Sequence, residues 1–86
     1  MVRTPLTPAQ IAAGRRLGET LRTARGARPL DEVATHAGIS PETLRKIETG
    51  RLPSPAFGTV VGLSDALGIP LEALAEVWRP VRAAAS

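Results

Sequence analysis

Residues 29–50, PLDEVATHAGISPETLRKIETG, decide the fold. Leu30, Val33, Ala34 and Ala37 recur at the spacing of a two-turn helix with one apolar stripe. Gly38 follows where a left-handed residue closes a helix. Ile39 turns inward, and Ser40–Pro41 opens a second helix with a hydroxyl cap and a proline at its first position. Leu44 and Ile47 face the core, and Gly50 ends the helix. Helices this short are unstable alone, so the rest of the chain must hold them. Ala34 is small where the second helix crosses the first, and Gly38 can take the positive φ that a sharp bend needs. The stretch therefore reads as a helix-turn-helix. Its second helix, Pro41 to Thr49, leaves Glu42, Thr43, Arg45 and Lys46 on the outside.

Upstream, Thr7, Pro8 and Gln10 form a T-x-x-Q capping box with proline in its tolerated place. A helix to about Arg25 is predicted, with Ile11, Leu17, Leu21 and Ala24 as its apolar face. Gly14 and Gly18 inside it cost roughly 1 kcal/mol each relative to alanine, a cost that close approach of another helix would explain. Downstream, Ser54–Pro55 repeats the Ser/Thr–Pro start. The fourth helix is predicted from about Pro55 to Leu67, with Phe57, Val60, Val61, Ser64 and Leu67 inward and Gly68 closing it. A fifth, about Pro70 to Trp78, carries Leu71, Leu74, Ala75 and Trp78 on one side, and Pro80 stops it. No alternating run is long enough for a strand. The expected fold is all-α, a compact five-helix domain over residues 7–78, with a flexible N-terminal arm at 1–6 and a C-terminal tail at 79–86.

Eighty-six residues make one small domain with a modest core. There is no cysteine and only one histidine, which excludes a disulfide framework and leaves no ligand set for a metal. No serine lies in a nucleophile-type turn and no glycine loop cradles phosphates, so neither an enzyme nor a cofactor is expected. MVRTPLTPAQ has no apolar run of a signal peptide, and no window reaches the roughly 20 apolar residues of a membrane span. The expected location is the cytoplasm. The net charge of +3 is uneven. Residues 1–51 hold nine basic and five acidic groups, and residues 52–86 hold two and three. A basic first part points to a polyanion-facing surface. Ten of the eleven basic residues are arginine, a usage that points to a GC-rich bacterial genome.

From Leu17 to Trp78 the chain resembles the Cro/repressor-type, XRE-like helix-turn-helix family of bacterial and phage regulators, whose domain is lambda-repressor-like. The likeness is carried by LGETLRTAR, EVATHAGIS, LRKIETG, the LPSP connector and LSDALGIPLEAL. It implies a transcription regulator, often a repressor, that binds double-stranded DNA as a homodimer on a palindromic operator. Carried over by position, Glu42, Thr43 and Lys46 would contact bases. Glu42 would accept from a cytosine amino group, Lys46 would donate to guanine O6 and N7, and Thr43 would meet a thymine methyl. Ser40, Arg45, Arg51 and Arg28 would contact phosphates. The family pattern pairs Glu48 with an arginine of the first helix, Arg25 or else Arg22. Leu30 departs from the polar residue usual at the start of the second helix, and Pro41 brings no polar group to the reading helix.

Blander roles compete with these. Arg15 and Arg16 read as a solvated face, and His36 as a solvated residue. Trp78 is either core or part of a dimer contact on the fifth helix. The competing function is a protein-interaction module of the same fold, such as an antitoxin or a regulator controlled by a partner protein.

Overall fold

The computed structural model describes residues 5–79 and contains five helices: α1 (Pro8–Arg25), α2 (Leu30–Ala37), α3 (Pro41–Glu48), α4 (Phe57–Leu67) and α5 (Leu71–Trp78). No strand occurs among the described residues, and the all-α expectation holds. The arm expected at residues 1–6 falls mostly outside the described residues, as do Pro80 and the tail from residue 80.

Each helix start follows from its local chemistry. The capping box predicted at α1 forms: Gln10 N donates to Thr7 Oγ1 at 3.1 Å, and Thr7 N donates to Gln10 Oε1 at 2.8 Å. Ser40 caps α3 by accepting from Thr43 N at 3.1 Å. At the end of α2, Gly38 has φ +78, and the next amide, that of Ile39, reaches back to Ala34 O at 3.0 Å. That closure sets the bend between α2 and α3.

One core joins the five helices: Leu17 and Leu21 of α1, Val33, Ala34 and Ala37 of α2, Leu44 and Ile47 of α3, Leu63 of α4 and Leu74 of α5. Small residues let the backbones meet. A Cβ on Gly18 would lie 2.4 Å from Ile47 O and 2.7 Å from Glu48 O, so α1 rests directly on the end of α3. A Cβ on Gly62 would lie 2.2 Å from Ala37 O, so α4 rests on the end of α2. Gly14 likewise seats the connector at Pro53. The α1 glycines therefore serve close packing.

Three sequence expectations are corrected. Helix α4 begins at Phe57 with Ala56 as its uncapped N-cap, so Ser54 caps nothing. The connector bends through residues 51–54 instead of starting a helix, with Pro53 packed on Gly14 and its carbonyl accepting from Trp78 Nε1 at 2.8 Å. Phe57 points outward at 72% exposure, while Leu63, absent from the expected inward face, is the buried residue of α4. On α1, Ile11 and Ala24 are exposed, and Ala13, Leu17 and Leu21 form the buried stripe with the two glycines.

Candidate nucleic-acid interface

Helix α3 is anchored from behind by Leu44 and Ile47, both fully buried. Its opposite side carries Glu42 and Arg45, exposed, and Thr43 and Lys46, half-exposed. The helix is braced laterally by an ion pair. Arg25 Nε donates to Glu48 Oε2 at 2.7 Å, and Nη2 donates to Oε1 at 3.0 Å. The Arg25 side chain is 18% exposed and that of Glu48 6%. The hydrogen bond to Glu48 raises the Arg25 guanidinium above its ordinary pKa, with burial opposing and the Glu48 charge assisting. A third donor, Arg25 Nη1, binds Arg28 O at 2.8 Å and fixes the turn into α2.

The side chains at the front of α3 are ordered among themselves. Glu42 Oε2 lies 3.8 Å from Lys46 Nζ, one turn along the helix. Ser40 Oγ and Thr43 Oγ1 are 2.9 Å apart, and one donates to the other. Of their two hydroxyl hydrogens, one is used between them and one is left to point outward. When Thr43 donates inward, Ser40 keeps a donor and Thr43 presents its methyl group and lone pairs. Arg45 makes no ion pair or side-chain hydrogen bond among the described residues. Arg51 is exposed, just beyond Gly50, and its amide closes α3 by donating to Lys46 O at 2.8 Å.

Arg28 is placed differently from the other cations. Its Nη1 donates to Ala66 O at 3.0 Å, at the end of α4, and its Nε lies 3.7 Å from Glu32. Its guanidinium thus bridges from the start of α2 to the end of α4. Arg16, read from sequence as solvated, donates from Nε to Val77 O and from Nη2 to Arg79 O, both at 3.1 Å, and so caps the end of α5. Neither role had a local signal, because both acceptors are backbone carbonyls distant in sequence. His36 is exposed on α2.

A second surface involves α1, the connector, α4 and α5. Leu17, Pro55, Phe57, Leu71, Leu74 and Trp78 border an apolar groove of about 280 Å³. Trp78 is half-buried, its ring against the core and its N–H on Pro53 O. No helix among the described residues is long and apolar enough to cross a membrane, and no group of three potential ligands there could hold a metal ion.

A family model described as a helix-turn-helix domain matches residues 16–77, which span all of α2 to α4 and most of α1 and α5. The chain belongs to that helix-turn-helix family. It is also similar to the HTH-type transcriptional repressor RghR of Bacillus subtilis (strain 168), with 39% identity over 59 residues, covering 66% of this chain and 44% of that protein. The chain thus spans less than half the length of that curated relative.

Proposed function

We propose that this helix-turn-helix chain is a sequence-specific DNA-binding transcription regulator, acting as a repressor in the bacterial cytoplasm. The observation that carries the reading is the polar outer face of α3, with Glu42, Thr43, Arg45 and Lys46 set opposite buried Leu44 and Ile47. A short helix held on its apolar side and by the Arg25–Glu48 brace is suited to entering a major groove as a rigid element. Similarity to a named transcriptional repressor supports the same reading. Glu42, Thr43 and Lys46 would face base edges. Ser40, Arg45 and Arg51 would hold phosphates. Arg28, still 37% exposed and with donors left after its bond to Ala66 O, would join them.

The chain would bind as a homodimer to two half-sites of a palindrome about 34 Å apart. The groove edged by Phe57 and Trp78 would make that contact, because Phe57 is exposed beside an apolar lining that a second copy could cover. The same observation favours a second reading, a module that docks a partner protein, as an antitoxin does. Gel shift on genomic fragments across a salt series separates the two. A shift that weakens steeply with salt supports DNA binding. No shift at low salt, with a second protein co-purifying, supports the partner module.

A further inference from the structure

Glu42 and Lys46 stand one turn apart on the outer side of α3, with carboxylate and ammonium 3.8 Å from each other. Both remain accessible, the Glu42 side chain at 78% and that of Lys46 at 44%. The carboxylate only accepts hydrogen bonds and the ammonium only donates. Together they present an acceptor beside a donor, one helical turn apart on the same face. In the major groove a C·G pair presents the reverse, the cytosine N4 amino donor beside the guanine O6 acceptor. Those two atoms are hydrogen-bonded to each other, so they lie roughly 3 Å apart.

We propose that the Glu42–Lys46 ion pair acts as one reading unit for a single C·G base pair, Glu42 accepting from cytosine N4 and Lys46 donating to guanine O6. This rests on the DNA-binding reading above and assigns its specificity. A G·C pair in the same place would set O6 against the carboxylate and N4 against the ammonium. An A·T pair repeats the donor–acceptor order, but adenine N7 adds an acceptor beside the carboxylate and thymine sets its methyl beside the ammonium. Guanine N7 instead gives Lys46 a second acceptor. Adjacent base pairs stack about 3.4 Å apart, so reading two neighbouring pairs is the competing arrangement, and the coincidence of the two losses at one position separates the two. The unit is neutral overall, so it contributes little to counterion release.

The test is site selection from a random duplex library with the full chain. It is followed by dissociation constants for all four base pairs at each half-site position. The natural sequence is compared with Glu42→Gln, Lys46→Ala and the double reversal Glu42→Lys/Lys46→Glu, each checked by thermal melting. The expected result is that both single variants lose discrimination at the same base pair, by about tenfold or more. The double reversal then prefers G·C there, and, since it leaves the net charge unchanged, its slope of log K against log salt stays that of the natural chain. Loss of discrimination at two different base pairs, or a double reversal that still prefers C·G, overturns the inference while DNA binding stands. Failure of the natural chain to bind any duplex at low salt overturns both. Should the reversal unfold, the two single variants decide by whether their losses coincide.

Discussion

One guanidinium, that of Arg25 at the end of α1, holds both carboxylate oxygens of Glu48 at the end of α3, at 2.7 and 3.0 Å. Glu48 is nearly closed off from solvent, so few other groups can pair with it. Glu48→Gln leaves an arginine without its counter-charge and should destabilise the domain by about 3 kcal/mol, the low end for a broken buried pair because Arg25 is partly exposed. Urea titration of the variant against the natural chain measures this. The pH sign is also set. Arg25 is raised by its bond to Glu48, so its contribution is full below the ordinary guanidinium value and fades only in stronger alkali. Mildly alkaline buffer should leave that part of the stability intact.

Two glycine substitutions should move stability in opposite directions. A methyl at Gly18 meets the backbone carbonyls of Ile47 and Glu48, which cannot step aside without moving α3. Gly18→Ala should cost about 1–3 kcal/mol, the range for overpacking. Gly58, inside α4, has open space around it. Gly58→Ala should stabilise by about 0.4–1 kcal/mol by restricting the unfolded chain. Paired thermal melts give both signs in one experiment.

Phe57 is the largest exposed apolar side chain among the described residues. Phe57→Ser should leave folding unchanged, since surface changes of this kind stay within about 0.5 kcal/mol. If the α4–α5 groove carries the homodimer, the same change should shift the chain to monomer in analytical ultracentrifugation. An unchanged association constant would place the dimer contact elsewhere.

Arg51 lies just past α3, exposed, with no ion pair or side-chain hydrogen bond among the described residues. As a phosphate contact it should act on all sequences alike. Arg51→Ala is expected to weaken binding to specific and scrambled duplexes by equal factors and to lower the salt slope by about 1. A change confined to one base position would reassign it to the reading face.

Much of the fold was legible because its signals are local. Thr7–Pro8 and Ser40–Pro41 mark helix starts whose caps form through neighbouring residues. Gly38 marks a turn whose φ only glycine takes easily. Leu44 and Ile47 separate the buried and exposed sides of α3 without ambiguity. Helix α4 was harder to read. FGTVVGLSDAL has apolar residues on several sides, so periodicity could not tell Leu63 from Phe57, and the packing of Gly62 on Ala37 settled which way it turned. Ser54–Pro55 has the pattern of the other two starts, but the chain bends there and Pro53 O is tied to Trp78. Arg16 and Arg28 were opaque for the same reason: their acceptors lie 61 and 38 residues away and are main-chain oxygens that no side-chain pattern announces.

The outer face of α3 is proposed to read DNA sequence. Selection from a random duplex library, followed by titration of the enriched site and a scrambled one with the natural chain and Lys46→Ala, tests it most directly. One enriched consensus is expected, with a loss of discrimination of about 1–3 kcal/mol in the variant. Failure to enrich any sequence at low salt, or a Lys46→Ala chain with the same affinity and preference as the natural one, would contradict it.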